Sequence, residues 1–186
     1  MGKTYELIDE PLSRFIAAQH VFFVATAPAA GDGHINLSPK GLDSFRVLDP
    51  HTVAYLDLTG SGIETIAHLR DNGRITLLFC AFEGPPKILR LYGRGEAIMP
   101  DHPDFAALVA QFPRFTGTRS VIRVVLERIA DSCGYGVPSY RYEGERRQLV
   151  DWADNRGTEG LKAYREERNA RSIDGLPGLR GADIGR

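Results

Sequence analysis

The pattern of apolar and polar positions along the chain predicts a mainly β protein. Residues 20–27 (HVFFVATA) and 74–82 (RITLLFCAF) are dense in β-branched and aromatic side chains, as buried strands are. Residues 87–99 and 119–130 alternate apolar and polar side chains, which is typical of strands with one face towards solvent. Shorter extended segments, separated by turn residues, are expected at 34–38, 45–48 and 52–58.

Between these predicted strands, several segments have apolar residues at helical intervals or residues that are typical of helix ends. Asp9 precedes a short apolar face and predicts a first helix cap. Apolar residues recur at helical intervals over 63–69, and Gly73 stands where a helix C-cap belongs. Asp101 predicts the start of a third helix, and residues 145–171 predict two more, broken at Gly157.

Six or seven strands joined as hairpins, with short helices between them, indicate an antiparallel barrel with flanking helices and not a doubly wound sheet. Residues 1–131 are predicted to form the barrel. Residues 132–186 are predicted to be C-terminal helices and a Gly-rich arm of the same domain. Because its apolar side chains must be buried for it to be ordered, the arm either frays or packs on another surface, and we expect that surface to be a second subunit.

Composition excludes several classes of protein. The chain has 186 residues and a formal net charge of −1, so it offers no global field for nucleic acid or for an anionic membrane. Its two cysteines are too few for a disulfide framework and favour a cytoplasmic location. Its histidines are scattered without metal-ligand spacing, so no metal site is expected. No apolar run approaches the ~20 residues that span a bilayer.

The segment 58–65 (LTGSGIET) is the first candidate ligand site. A strand ends, two glycines allow close backbone approach, and a helix begins, which suits a phosphate group. The same letters also fit an ordinary helix cap, with Ser61 as N-cap and Glu64 as its capping-box partner. Because neither a Walker lysine nor a GxGxxG pattern is present, spacing alone favours the cap.

The segment 36–46 (NLSPKGLDSFR) is the second candidate. Its many polar side chains are unusual beside an apolar strand, and Pro39 is incompatible with an uninterrupted central strand. Lys40 or Arg46 could therefore bind a negatively charged group of a ligand. A solvated hairpin face explains the same pattern equally well. No residue is singled out as catalytic, since Cys133 has no evident base nearby and better fits a small loop residue.

Residues 10–130 resemble the pyridoxamine 5'-phosphate oxidase-like FMN-binding split-barrel family. The segments that carry the resemblance are, in order, NLSPKG, TVAYLDL leading into TGSGIETIAHL, RITLLF and ILRLYGRGEAI. The later SCGYGVP and SIDGLPGL segments resemble a separate branch of that family and not the oxidase proper. The resemblance implies a split antiparallel β-barrel that works as a homodimer. It also implies two FMN molecules in clefts at the subunit interface. Together with the near-zero net charge and the lack of long apolar runs, we expect no nucleic-acid or membrane partner.

The resemblance also implies which residues form the cofactor site. Those along the isoalloxazine ring would be Ser38, Pro39 and Lys40. Those towards the ribityl chain and phosphate would be Asp57, Thr59, Ser61 and Thr65. The oxidase has an Arg-Lys pair directly after the serine, where this chain has Gly62 and Ile63. The candidates for the missing phosphate charge are Lys40, Arg46 and Arg70.

The function implied is an FMN-dependent oxidoreductase that transfers a hydride between the flavin and a small substrate. The C-terminal sequence LPGLRGADIGR does not match the oxidase's substrate-binding segment, which disfavours pyridoxamine phosphate as the substrate. Two alternatives stay open: a deazaflavin-dependent reductase on the same fold, and a flavin-binding or sensing protein without turnover. Haem binding is disfavoured because no histidine lies where an axial ligand is expected.

Overall fold

Eight antiparallel strands form one sheet in the computed structural model, which describes residues 2–184. The strands are β1 (Thr4–Tyr5), β2 (Phe22–Thr26), β3 (Asn36–Lys40), β4 (Phe45–Asp49), β5 (Thr52–Leu58), β6 (Arg74–Cys80), β7 (Ile88–Ile98) and β8 (Thr118–Ser132). Their order is β3-β2-β6-β7-β8-β5-β4, and β1 pairs with β8. Because β3 and β4 remain as edges, the sheet does not close. The fold is the split antiparallel barrel with flanking helices that the sequence predicts.

The helices are α1 (Glu10–Ala17), α2 (Glu64–Asn72), α3 (Phe105–Val109) and α4 (Gln148–Arg168), followed by a 3-10 turn at Gly181–Ile184. Three predicted signals are confirmed. The Asp9 carboxylate accepts a hydrogen bond from the Leu12 amide at 2.9 Å and caps α1. Gly73 ends α2 in the left-handed conformation, with φ of 73°. Gly157 breaks α4 with φ of 63°, a backbone conformation that glycine adopts readily.

Two helix starts differ from the prediction. Ile63, not Ser61, is the N-cap of α2, and no side chain caps this helix. The reason is that residues 60–62 are held by other parts of the chain, as described below. The third helix begins at Phe105 and not at Asp101. The intervening residues form turns instead, in which the Asp104 amide donates to Nδ1 of His102 at 3.1 Å.

The hydrophobic core lies inside the curved sheet. Helix α1 contributes Leu12 to it and α2 contributes Ile66, both fully buried at helical spacing from their apolar neighbours. A second, smaller cluster fills the space between the sheet and α3 around Leu56 and Phe112. The two clusters together cover both faces of β5, which a short loop connects to α2. No helix in the described part of the chain is both long and apolar enough to cross a membrane.

The C-terminal arm, residues 172–184, packs on its own chain. Leu179 and Ile184 are buried in the main core beside α2. The Leu179 amide donates to the Asn169 carbonyl at 2.7 Å, which fixes the arm against the end of α4. Ile173 points outwards and is 71% exposed. The apolar cover expected from a second subunit is therefore supplied in part by the chain itself. Packing of the arm on a partner stays a prediction.

Candidate functional site

The junction loop, residues 59–63, connects β5 to α2 and is fixed at its first residue. The amide and the hydroxyl of Thr59 both donate to the Gly117 carbonyl, at 2.8 and 2.9 Å. The same hydroxyl oxygen accepts a hydrogen bond from Nε of Arg165 at 2.9 Å. Thr59 is fully buried, so the loop is anchored both to the residue before β8 and to α4.

Side chains also hold the next three carbonyls of the junction loop. Asn169, at the end of α4, donates through Nδ2 to the carbonyls of Gly60 at 3.0 Å and Ser61 at 3.3 Å. Arg119 donates through Nη1 to the carbonyl of Gly62 at 3.0 Å. Asn169 is fully buried and Arg119 nearly so. The loop conformation is therefore set by residues from α4 and β8.

An ionic cluster of Asp57, Arg119 and Arg165 lies behind the junction loop. Arg119 binds the Asp57 carboxylate through Nε at 2.7 Å and Nη2 at 3.1 Å, and Ser120 donates to the same carboxylate at 3.0 Å. Burial disfavours the charged form of Asp57, but the Arg119 guanidinium outweighs it and keeps the pKa of this carboxyl below its usual value. Burial, and then repulsion from Arg119, lower the pKa of Arg165.

A register shift between β5 and β8 explains this arrangement. Asp57 pairs with Ser120, whereas Leu58 pairs with Thr118, so Arg119 is the extra residue of a bulge. The bulge turns the Arg119 side chain towards Asp57. Asp57 and Thr59, both predicted to lie towards the cofactor, are thus engaged inside the protein, where they support the loop.

A polar network joins β3, β2 and α2 on the other side of the junction. Asn36 donates through Nδ2 to the hydroxyls of Thr26 and Thr65, both at 3.1 Å. Its Oδ1 accepts from the Ser38 hydroxyl at 2.9 Å. The Thr26 hydroxyl lies 3.0 Å from Nδ1 of His68. Two of the predicted site residues, Ser38 and Thr65, are therefore brought together through Asn36.

Two buried polar atoms border this network without a hydrogen-bond partner among residues 2–184. They are Nε2 of His68 and the hydroxyl of Tyr55. Burial lowers the pKa of His68, so the imidazole is neutral at physiological pH. Burial likewise raises the pKa of Tyr55 far above its usual value. The network is therefore uncharged, in contrast to the ionic cluster.

The Lys40 cleft, of about 560 Å³, opens between β3 and β5. Its walls include Pro39 and Lys40 from β3, Leu56 and Leu58 from β5, and residues from the segment 144–149. The positive charge of Lys40 reaches Asp57, whose pKa it helps to lower. Cavities of this size and lining bind small molecules in many proteins. The cleft begins beside Leu58, directly before the junction loop.

The segment that covers the Lys40 cleft is tied to the turn after β3. The Glu145 carboxylate accepts hydrogen bonds from the Leu42 amide at 3.0 Å and from the Tyr142 hydroxyl at 2.9 Å. The Tyr142 ring stacks on His20 with 3.6 Å between ring centroids. These contacts hold one wall of the cleft in place.

The remaining predicted residues lie elsewhere or at the surface. Ser61 is exposed on the junction loop. Arg46 is bound to the Asp43 carboxylate and donates to the Gln111 carbonyl at 2.9 Å. Arg70 pairs with Asp183 of the C-terminal arm at 2.9 Å. Both arginines are thus engaged in contacts that fix the fold.

Sequence reasoning missed the residues that shape the junction most directly. They are Thr26, Asn36, His68, Arg119, Arg165 and Asn169. One signal was present: Asp57 stands in an otherwise apolar strand, TVAYLDL, and a buried carboxylate requires a buried cation. Nothing in the sequence pattern indicated which arginine would supply it. Within the described residues, no group of three or more His, Cys, Asp or Glu side chains could hold a metal ion.

Comparisons with known proteins agree with this fold. The family model for pyridoxamine 5'-phosphate oxidase matches residues 8–133. The pyridoxamine 5'-phosphate oxidase family protein ustO of Aspergillus flavus is 40% identical over 197 residues, which cover 96% of this chain and 78% of that protein.

Solved structures show the same fold. The HupZ protein of Group A Streptococcus is 25% identical with a TM-score of 0.51, and the match covers 66% of this chain and 91% of HupZ. A Lactobacillus delbrueckii protein, named provisionally as a pyridoxamine 5'-phosphate oxidase, is 21% identical with a TM-score of 0.53, over 68% of this chain and 98% of that one. The resemblance inferred from the sequence is confirmed: the chain belongs to the pyridoxamine 5'-phosphate oxidase family.

Proposed function

We propose that the protein binds FMN in the Lys40 cleft and acts as a flavin-dependent oxidoreductase on a small substrate. The observation that carries the proposal is the position of the cleft. It runs between the polar edge of β3 and the end of β5, directly before the fixed junction loop. A flavin needs an apolar slot for its ring and donors for its phosphate, and these two features adjoin here.

The donor set fits such a group. Pro39 and Leu58 offer apolar surface for a planar ring, and Lys40 offers a positive charge at its edge. The volume of about 560 Å³ lies within the range of roughly 300–1,000 Å³ that is common for small-molecule sites. Membership of the oxidase family supports the same assignment.

The chain's own residues bind and orient in this proposal. FMN, when bound, supplies the hydride chemistry. Lys40 would donate a hydrogen bond to an electron-rich edge of the ring, and the Ser38 hydroxyl, which donates to Asn36, would support the polar strand edge beside it. No side chain is needed as a nucleophile.

A homodimer is part of the proposal. The edge strand β3 presents the exposed apolar residue Leu37, which is 65% exposed, and Ile35 just before it is 77% exposed. Ile173 of the C-terminal arm lies close by, since the neighbouring Asp174 binds His34. An unpaired edge strand with exposed apolar side chains favours association with another chain. A second copy of this chain is the partner proposed, in a cytoplasmic setting.

The test of cofactor binding is a spectrum followed by a titration. Purified protein should show a flavin absorption band that bleaches under an anaerobic reductant, and the apoprotein should regain the band with added FMN. Lys40→Met should weaken FMN binding about tenfold, as expected for one lost charged contact. Lys162→Met, on α4, removes an equal charge away from the cleft and should leave the affinity unchanged. Protein that binds neither FMN nor FAD would overturn the proposal.

Two further measurements separate the alternatives. Preferential binding of a deazaflavin in a parallel titration would replace FMN as the cofactor. Tight FMN binding without turnover under any reductant and acceptor pair would favour a sensing role.

For the dimer, we expect a solution mass near twice 20.5 kDa, and Leu37→Glu should shift it towards 20.5 kDa. A monomeric wild type would contradict the dimer.

A further inference from the structure

A second cavity, of about 700 Å³, adjoins the Lys40 cleft, and we call it the Tyr140 cavity. Its walls are the end of α1 with the residues that follow it, the turn after β6, and the connection between β8 and α4. His20, Val21 and Gly144 line both cavities. A molecule in the Tyr140 cavity would therefore lie next to a molecule in the Lys40 cleft.

Aromatic side chains form much of the wall of the Tyr140 cavity. The Tyr142 ring stacks on His20, and the Tyr140 ring lies against Phe82 with 5.5 Å between ring centroids. Both tyrosines nevertheless remain exposed, Tyr140 to 63%. Each keeps ring surface that the described residues leave uncovered. The face of an aromatic ring attracts both a second ring and a cation.

Hydrogen bonds hold these rings in place. The Tyr140 amide donates to the Phe82 carbonyl at 2.9 Å, and the Tyr142 amide donates to the Glu83 carboxylate at 3.0 Å. The Tyr142 hydroxyl donates to Glu145 at 2.9 Å, so this side chain is fixed at both ends. A ligand that enters a cavity with fixed walls loses less binding free energy to the ordering of side chains.

The charge at the wall of the Tyr140 cavity is negative. Arg141 and Glu143 pair with each other at 3.3 Å, which leaves Glu83 as the remaining charge. Glu83 forms no ion pair within residues 2–184. The end of α1 borders the same space, and the carbonyls at a helix C-terminus add partial negative charge. The wall therefore favours a cation and disfavours an anion such as a phosphate ester.

We propose that the Tyr140 cavity binds the substrate, and that this substrate is an aromatic molecule with a positive charge, such as a protonated aromatic amine. The exposed faces of Tyr140 and Tyr142 contact its ring, and Glu83 supplies the counter-charge. The assignment as substrate rests on the proposed binding of FMN in the neighbouring cleft. Binding of the cation itself does not depend on FMN.

The test uses three probes that share one ring system and differ in charge: 1-naphthylmethylamine, 1-naphthalenemethanol and 1-naphthoate. Their dissociation constants are measured by isothermal titration calorimetry on the purified protein, with and without added FMN. We expect the amine to bind about tenfold more tightly than the alcohol, and the carboxylate to bind more weakly than both. Equal affinities for the three probes, or no measurable binding of the amine, would overturn the proposal.

Two surface variants assign the contacts. Glu83→Gln removes the charge but keeps an oxygen for the Tyr142 amide, so it should abolish most of the preference for the amine and leave alcohol binding unchanged. Tyr140→Leu should weaken amine binding about three- to tenfold through the lost ring. The matched controls, Glu166→Gln and Tyr135→Leu, change exposed residues that do not line the cavity and should have no effect. An undiminished preference in folded Glu83→Gln protein would contradict the proposal.

A difference spectrum of the FMN-loaded protein tests the assignment as substrate. Saturation of the Tyr140 cavity with the amine should perturb the absorption band of a flavin in the neighbouring cleft. An unaltered flavin band at saturating amine would overturn the assignment. If the wild type binds the amine but neither FMN nor FAD, the proposed function fails while the cation site stands, so the two failures are distinguishable.

Discussion

The two sides of the β5–α2 junction are built from different chemistry. Behind the junction loop, the ionic cluster buries three charged groups whose hydrogen bonds are nearly complete. Beside it, the polar network is neutral and leaves polar atoms of His68 and Tyr55 without partners among residues 2–184. The difference teaches that charged and neutral polar groups have separate places at this junction. The charged side sets the loop conformation, whereas the neutral side keeps hydrogen-bonding capacity that the described residues do not use.

The sharpest test of the charged side is the removal of its carboxylate. Asp57→Ala would leave Arg119 and Arg165 buried with no negative partner. We expect a loss of about 3–5 kcal/mol in the free energy of unfolding, measured by urea denaturation. Asp43→Ala removes a partly exposed partner of Arg46 and should cost only about 0–1 kcal/mol. Equal losses in the two variants would mean that the cluster does not differ from a surface pair.

The next largest loss of stability is expected from a substitution where the C-terminal arm contacts the junction loop. A Cβ at Gly178 would lie 2.2 Å from the Asn169 carbonyl oxygen and 2.8 Å from Ile63. Gly178→Ala should therefore destabilise the protein by about 1–3 kcal/mol through overpacking. Gly60→Ala is the control, because its Cβ enters open space, and it should change stability by less than about 0.5 kcal/mol. Thermal denaturation of both variants decides the point.

The neutral polar network should make the stability of the protein depend on pH. Burial holds the pKa of His68 below the usual 6.5, against the pull of carboxylates at Glu64, Asp174 and Asp71. The unfolded chain therefore takes up a proton first as the pH falls, and stability is lost below about pH 6.5. His34 behaves oppositely: the Asp174 carboxylate raises its pKa, so its contribution is present at low pH and lost as the pH rises through the folded value.

Urea denaturation between pH 5 and pH 7.5 measures this contrast. His68→Asn should flatten the loss of stability on acidification, whereas His34→Asn should make it steeper. If His68→Asn leaves the slope unchanged, the buried imidazole is not the group that titrates.

The smallest effect is expected at Glu64, which faces the loop from the outside. Glu64→Gln removes the opposing negative charge and should tighten FMN binding about two- to fivefold. The same change weakens the start of α2, where an acid is favourable, by about 0.3–1 kcal/mol. Glu10→Gln does the same to α1, far from the loop, and should leave FMN affinity unaltered. Tighter binding in both variants would point to a general charge effect.

Sequence patterns were enough for the sheet but not for the junction. Strands such as β6 and β8 follow from continuous or alternating apolar runs, because burial of those runs dominates the local energy. The inward turn of Arg119 depends on a one-residue register shift between β5 and β8, which no local pattern encodes. The contacts of Asn169 join residues more than a hundred positions apart, so spacing rules cannot reveal them. The predicted cap at Ser61 is wrong for the same reason.

The hydrogen bonds from α4 to the junction loop have a consequence for folding of the chain during translation. Thr59 and Arg165 are separated by 106 residues, and Gly60 and Asn169 by 109. When β8 leaves the ribosome, every strand of the sheet is already present, but the loop has no restraint from α4. A nascent or clipped chain of that length would have a barrel whose ligand site is unfinished. Under the proposed function, flavin uptake would then occur only after Asn169 has left the ribosome, so bound flavin would mark chains that extend past Asn169.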